Sequence, residues 1–309
     1  MSGRFERLEK KGRIKDGAED IRDKASLCHD DVIGLNFIKA SGPHVFRRHF
    51  RQGLRSHIME ILKRADVAIE NNGTMIDGTR WFPRARPTYM LRIFRTKLTS
   101  LESALAEIRR VKVIERYLGP DFIAESSEFL VDYHGPDGPS IMLCGFQAYV
   151  PGEILDPWTL LDGERLLGSL YANLQRRDAC LGARQTEWIA RARRKADRFV
   201  GQIKQMIKAV RYVPDLAGAG NLVLNREGQI RLVDINNISP VAFNDTILLD
   251  DKGYPVCDKS IEALSLIERK VLDRPIDFQD PFYRFFLDPE RKRRVGLEEA
   301  RFYRGRAGQ

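Results

Sequence analysis

The sequence predicts an α+β protein in which a strand-rich first half is followed by a mainly helical second half. Two observations indicate this. Apolar residues alternate in TYMLRIF (88–94), as in a β-strand, and recur every three or four positions over 101–118, as in an amphipathic helix. After a break that contains Pro and Gly, VPGEILDPW (150–158), helical patterns prevail.

The first half carries further signals of local structure. Residues 1–30 are polar and weakly periodic, which is typical of an arm or a frayed helix, and the apolar spacing over about 45–65 predicts a helix. The dipeptides Asn72-Gly73 and Asp77-Gly78 predict turns. The helix over 101–118 stops at Gly119-Pro120, and FIAES, EFLVDY and SIMLCGFQAYV are predicted strands.

The second half is predicted to begin with helices over 158–181 and 185–211. The strands NLVLN and QIRLVDI follow, joined by a short turn, and SIEALSLIERKVL predicts a late helix. This order predicts four parts. They are an N-terminal arm with a helical extension (1–65), a strand-rich lobe (66–150), a helical lobe (151–275) and a basic C-terminal tail (276–309).

Composition narrows the classes of protein. A formal net charge of +9 favours anionic partners such as nucleotides, nucleic acid, acidic headgroups or phosphorylated substrates. No apolar stretch approaches the ~18–20 residues of a membrane-spanning helix, so no transmembrane segment is expected. The charged start has no signal-peptide core, and the four cysteines form no CxxC pair. A reducing cytoplasm is therefore the expected location.

The segment RYVPDLAGAGNLVLNREGQIRLVDINN (211–237) carries the clearest chemical signal. It is predicted to contain a helix end, a Gly-rich loop and a β-hairpin whose second strand ends in an acid. Asp215 and Asn221 would then lie on the loop and Asp234 at the mouth of the hairpin. Carboxylate and amide oxygens are ligands that Mg²⁺ accepts beside nucleotide phosphates, and a further acid can orient or deprotonate an acceptor hydroxyl.

At these residues the sequence resembles the protein-kinase-like superfamily, and an atypical bacterial phosphotransferase more than a protein kinase proper. The resemblance implies a bilobal fold, with a small strand-rich N-lobe and a mainly helical C-lobe, that uses ATP and Mg²⁺. It assigns Asp215 to the acceptor hydroxyl, and Asn221 and Asp234 to the metal. The sequence departs from the family pattern in four places. Val213-Pro214 precedes the Asp, and Ala217 stands where many protein kinases have a Lys. Five residues separate Asp215 from Asn221 instead of four, and Ile235-Asn236 follows Asp234.

The resemblance also implies sites in the first half. A basic residue on the third strand would contact the nucleotide and pair with a Glu on the next helix, and Arg92 with Glu107 is the pair favoured. A solvated surface pair is the alternative. The segment GFQAYVPGEIL would form the hinge that holds adenine, through Gln147 and Tyr149.

Three functions stay open from the sequence. The first is transfer of the ATP γ-phosphate to a hydroxyl of a small molecule, a glycan or lipid headgroup, or a protein. The second is a pseudokinase, in which the same fold binds nucleotide as a scaffold. The third is a basic protein that binds nucleic acid or membrane surfaces, with the hairpin pattern arising because Asp and Asn are common in turns.

Overall fold

The computed structural model of the chain describes residues 19–38, 42–53, 55–177, 184–250 and 252–307. Residues 1–18, the larger part of the predicted N-terminal arm, lie outside these ranges, as does Cys180. Helices and strands are both present, which confirms the predicted α+β class. No helix in these ranges is long and apolar enough to cross a membrane.

Within the described ranges the chain forms eight helices: α1 (His29–Ile33), α2 (Arg64–Asn72), α3 (Leu101–Leu118), α4 (Gly163–Arg177), α5 (Gln185–Val210), α6 (Val256–Val271), α7 (Pro281–Phe286) and α8 (Pro289–Ala307). The same ranges contain twelve strands: β1 (His44–Arg48), β2 (Ser56–Lys63), β3 (Thr74–Ile76), β4 (Thr79–Trp81), β5 (Tyr89–Phe94), β6 (Ser126–Gly135), β7 (Gly138–Ala148), β8 (Glu153–Ile154), β9 (Tyr212–Pro214), β10 (Leu222–Leu224), β11 (Ile230–Leu232) and β12 (Ile238–Pro240).

The described residues fall into two compact units, and the first comprises those up to Leu101 together with Glu128–Gly145. Its main sheet has the strand order β1-β2-β5-β7-β6. The sheet thus takes strands from both the predicted 1–65 extension and the predicted 66–150 lobe. The segment 19–38 packs on this sheet, and its apolar side chains share one core with those of β2 and β5: Ile21, Leu27, Val32, Leu35, Met59, Ile61, Leu91 and Ile93.

The predicted helix over 45–65 is wrong, because this stretch forms the antiparallel pair of β1 and β2. β2 lies between β1 and β5, and most of its side chains are buried, whichever face of the sheet they lie on. A strand covered on both faces loses the alternation of apolar and polar residues that identifies a half-exposed strand. Its apolar residues then take a spacing that also fits a helix.

Several other local predictions are confirmed. The stripe over 101–118 is α3, TYMLRIF contains β5, and the late helical pattern is α6. Asp77 and Gly78 both have positive φ, 46° and 76°, and connect β3 to β4 as a two-residue hairpin turn. The predicted strand FIAES is wrong for its first four residues, where an isolated bridge forms at Ile123, and its last residue, Ser126, begins β6.

The second unit comprises Glu102–Ser127 and the described residues from Phe146 onward. Its core is built around α5, whose Trp188, Phe199 and Ile203 are fully buried, and around α6. The Trp188 indole N–H donates to the Arg226 carbonyl at 2.8 Å, which fixes the β10–β11 turn against α5. The Lys204 ammonium pairs with carboxylates of α6 and of the α7 N-cap, so these helices are also tied by charge.

The predicted basic tail is largely helical, and its densest basic run is paired with acids. The Arg291 guanidinium is buried, lies 2.6 Å from the Asp258 carboxylate and stacks on Phe285 and Phe286. The next three basic side chains also have carboxylate partners. This run therefore contributes to packing of α8 and is a weaker anion-binding candidate than its sequence indicates.

Candidate functional site

Two strand pairs bring the segment 215–237 together. β9 pairs with β12 so that Pro214 lies opposite Ile238, and the next residue, Asp215, donates its backbone N–H to the Asn237 carbonyl at 2.8 Å. β10 pairs with β11 so that Leu222 lies opposite Leu232. Asp215 directly follows β9, Asn221 directly precedes β10, and Asp234 lies two residues after β11. The Val233 N–H donates to the Asn221 carbonyl at 2.9 Å, so the three residues lie on adjoining loops.

The Asp215 carboxylate is buried and held by backbone donors. Its Oδ1 accepts the backbone N–H groups of Ala217 and Gly218 at 3.0 and 2.9 Å. Its Oδ2 accepts the Asn237 amide at 3.3 Å, a longer and weaker contact. Oδ1 is therefore occupied in fixing the loop, and Oδ2 is the oxygen better placed to accept a proton from a ligand.

Burial raises the pKa of Asp215 to about 6, and the neighbouring Asp234 carboxylate adds to the increase. The three hydrogen bonds act in the opposite direction, because they favour the charged form, but they do not cancel desolvation. A carboxyl group with a pKa near neutrality can take up and release a proton under ordinary conditions.

The raised pKa predicts that Asp215→Asn stabilises the metal-free protein at neutral pH. Because the folded state binds this proton more tightly than the unfolded chain does, the contribution of Asp215 to stability is largest at low pH and is lost as the pH rises through about 6. Urea unfolding in a chelator should show the variant about 1–3 kcal/mol more stable at pH 7.5. The difference should shrink below pH 4, and an equal difference at both pH values would contradict the prediction.

The Asn221 side chain is oriented by the loop that precedes it. Its amide Nδ2 donates to the Asp215 carbonyl at 2.9 Å, so Oδ1 is the atom suited to a cation. A Cβ on Gly218 would lie 2.4 Å from Nδ2, and Gly220 has φ +84°. A side chain at 218 would displace the Asn221 amide, and a side chain at 220 would be strained at this positive φ. The Gly-rich composition of the loop is thus explained by the position of Asn221.

Asp234 follows β11 and is partly exposed. Its Oδ1 accepts the Asn236 backbone N–H at 3.2 Å. The Asn236 side-chain Oδ1 is buried and has no hydrogen-bond partner among the described residues. An unsatisfied buried acceptor two residues from a carboxylate fits a site for a hard cation, which would supply the missing partner.

The oxygen donors of this cluster suit Mg²⁺ completed by phosphate oxygens and water. The described residues contain no group of three or more His, Cys, Asp or Glu side chains placed to hold a metal ion.

The two predicted hinge residues have different surroundings. Gln147 is buried and its side-chain amide donates to the Val233 carbonyl at 2.9 Å, next to Asp234, so it positions the end of β11. Tyr149 lines an open concavity of about 720 Å³ with α3, the segment 119–126 and the β10–β11 turn. Of the predicted site residues that are described, Tyr149 alone lines this concavity.

The structure gives an ion-pair partner to each member of the predicted Arg92–Glu107 pair. The Arg92 guanidinium on β5 lies 2.8 Å from the Glu128 carboxylate on β6, and both side chains are buried. Glu107 pairs with Arg110 on the surface of α3. The sheet order decides this, because the strand order places β6 and β5 in one sheet with only β7 between them.

Three residues that the sequence interpretation did not single out hold the site together. Asn237 contacts Asp215 through both its carbonyl and its amide. The Ser260 hydroxyl on α6 accepts the Leu216 N–H at 3.1 Å, and the Trp158 indole donates to the Ala217 carbonyl at 3.1 Å. Asn237 had a signal, since Asn236-Asn237 follows an apolar strand directly. Ser260 and Trp158 are distant in sequence and gave none.

Comparison of the sequence with models of known families and with curated proteins finds no match. Functional inference therefore depends on the residues and geometry of this site.

Proposed function

We propose that this chain is a kinase-like phosphotransferase that moves the γ-phosphate of ATP to a hydroxyl group, with Mg²⁺ as its cofactor. One observation carries the proposal. A loop acid with a pKa of about 6, an amide that donates to the carbonyl of that acid, and a second acid whose charge acts on the first lie on adjoining loops. This is the order of residues that phosphoryl transfer by the kinase-like superfamily uses, and the bilobal arrangement of that superfamily is part of the proposal.

In this proposal Asp215 acts on the acceptor. Its Oδ1 stays bound to two backbone amides, while Oδ2 accepts the proton of the attacking hydroxyl. Desolvation has already raised the proton affinity of this carboxylate, which matches a base that works near neutral pH. The Asn237 amide fixes the direction in which Oδ2 points.

The Asn221 and Asp234 oxygens would hold the cation, and Asn236 is a further candidate ligand through its buried Oδ1. When bound, Mg²⁺ would neutralise charge on the nucleotide phosphates. The chain's own part is to fix the donors. The Asp215 carbonyl orients the Asn221 amide, and Gln147 holds Val233, the residue before Asp234.

The test is thermal unfolding with and without ATP and Mg²⁺. A ligand that binds only the folded state stabilises it by RT ln(1 + [L]/Kd), about 2.7 kcal/mol at a hundredfold excess over Kd. Wild-type protein should show this shift only when ATP and Mg²⁺ are both present. Asp234→Ala should lose it, because the cation loses a charged ligand.

Asp121→Ala is the matched control, since Asp121 is an exposed carboxylate of the same unit that pairs with Arg198. It should keep the full shift. A wild-type protein that ATP with Mg²⁺ does not stabilise, or an Asp234→Ala shift equal to that of wild type, would show the proposed nucleotide site to be wrong.

One observation favours a second function, a nucleotide-binding scaffold without transfer. Arg92, the predicted phosphate contact, is buried and ion-paired with Glu128. A guanidinium held in a buried salt bridge must break that contact before it can bind a phosphate. The two functions differ in turnover, and the Asp215 variant described in the Discussion distinguishes them.

A further inference from the structure

The hairpin formed by β3 and β4 exposes large apolar side chains. Two pairs of adjacent residues, one pair on each arm of the hairpin, are more than half exposed: Met75 at 57%, Ile76 at 54%, Trp81 at 58% and Phe82 at 56%. Scattered single apolar residues are ordinary on a protein surface, but a contiguous group marks an interaction site.

Neither face of this hairpin is covered by the part of the chain that the structure describes. Thr74 pairs with Trp81, Met75 with Arg80 and Ile76 with Thr79. Cross-strand partners share a face and faces alternate along a strand, so the hairpin has Trp81 and Ile76 on one face and Met75 on the other. All six strand residues are exposed, and the two strands form a sheet of their own. An element with exposed apolar side chains on both faces suits insertion into an apolar medium better than docking against one flat surface.

The charge around the hairpin is positive. The stretch TMIDGTRWFPRAR (74–86) contains three arginines and one aspartate, and Arg80, Arg84 and Arg86 are all exposed. The nearby acid Glu70 on α2 is paired with Arg47 at 2.8 Å. Aromatic and apolar side chains beside arginines match the boundary of a bilayer that carries anionic headgroups.

We propose that the β3–β4 hairpin docks the protein on an anionic membrane surface. Trp81, Phe82, Ile76 and Met75 enter the headgroup and upper acyl region, and the arginines contact lipid phosphates. Burial of two aromatic and two aliphatic side chains supplies the apolar part of the binding, and the arginines supply selectivity for anionic lipid. This surface is independent of the proposed phosphotransferase site and would function whether or not that site is active.

The experiment is co-sedimentation of the full chain with vesicles. One set contains phosphatidylcholine alone and the other contains phosphatidylcholine mixed with phosphatidylglycerol, each at low and high salt. Wild-type protein should bind the anionic vesicles, with affinity falling at high salt because screening weakens the arginine contacts. The double variant Trp81→Ser/Phe82→Ser should lose about tenfold or more in the partition coefficient. Arg84→Gln/Arg86→Gln should lose about fivefold per charge, on anionic vesicles only.

The matched control is Leu160→Ser/Phe278→Ser. Phe278 has the same exposure as Phe82, 56%, and Leu160 is fully exposed, but both lie in the second unit. This variant should bind as wild type does. A second readout follows Trp81 itself, whose fluorescence should shift to shorter wavelength on binding. Trp81→Phe should abolish that shift while keeping most of the affinity.

Each variant is first compared with wild type by circular dichroism and thermal unfolding, so that loss of binding is not confused with loss of fold. Three results would overturn the proposal: no binding of wild type to anionic vesicles, equal binding to neutral vesicles, or equal losses in the hairpin and control variants. Hairpin-dependent self-association without vesicle binding would also overturn it, and would identify the hairpin as a protein-docking surface.

Discussion

Asp215→Asn is expected to slow phosphate transfer by about 10²–10⁴-fold, the usual contribution of a positioned general base. Asparagine keeps the size of the side chain and one acceptor oxygen, so the bonds from Ala217 and Gly218 can persist. What is lost is the ability to accept a proton at the second oxygen. The measurement is release of phosphate from ATP, with water in place of the acceptor hydroxyl.

The stabilisation of the same variant by ATP with Mg²⁺, measured by thermal unfolding, distinguishes loss of catalysis from loss of nucleotide binding. Asp215→Asn should still be stabilised by ATP with Mg²⁺, because Asn221 and Asp234 are unchanged, whereas Asp234→Ala should lose both binding and turnover. Asp121→Asn, which changes an exposed carboxylate that pairs with Arg198, should keep both nucleotide binding and turnover. A wild-type protein that binds nucleotide but turns it over no faster than Asp215→Asn would support the scaffold function.

Glu128→Ala is expected to destabilise the fold by about 3–5 kcal/mol. Glu128 and Arg92 are both buried, with side-chain exposures of 0% and 3%, and their charged atoms lie 2.8 Å apart. Removing one partner leaves a buried charge without compensation, which costs more than the pair itself contributes. Urea unfolding should show the loss as a lower midpoint with an unchanged slope.

Two variants separate this effect from a general sensitivity to substitution. Asp121→Ala breaks an exposed pair and should cost no more than about 1 kcal/mol. Arg92→Met/Glu128→Leu replaces both charges with apolar side chains and should recover most of the stability lost in Glu128→Ala. Equal losses in Glu128→Ala and Asp121→Ala would contradict the prediction.

The double variant also tests the predicted role of Arg92 in nucleotide binding. If Arg92 only holds the sheet together, Arg92→Met/Glu128→Leu should keep the stabilisation by ATP with Mg²⁺. If the guanidinium leaves Glu128 to contact a phosphate, that stabilisation should fall while the fold persists.

Local sequence patterns were sufficient to predict several helices, a hairpin turn and the order of the candidate site residues. Regular apolar spacing predicted α3, because one face of this helix meets a core and the other meets solvent. The apolar spacing of α6 also predicted a helix, although most of its residues are buried. The pair Asp77-Gly78 predicted its hairpin turn, since these residue types tolerate positive φ. The proximity of Asn221 and Asp234 could be predicted from the sequence, because the register of the short hairpin alone brings these two positions to the same end.

Only the tertiary structure decided the rest. The stretch that forms β1 and β2 was predicted as a helix because most side chains of β2 are buried and do not alternate between apolar and polar. One face of β2 is buried against the segment 19–38, which the strand pattern alone does not indicate. Arg92 was predicted to pair with Glu107 on the following helix, whereas the structure places its guanidinium 2.8 Å from the Glu128 carboxylate in the same sheet. The pKa of Asp215 depends on burial and on Asp234, and its loop is held by Ser260 and Trp158 from remote segments. Periodicity reports which neighbours a residue has along its own element, whereas burial, charge pairing and proton affinity depend on elements that the chain brings together only when it folds.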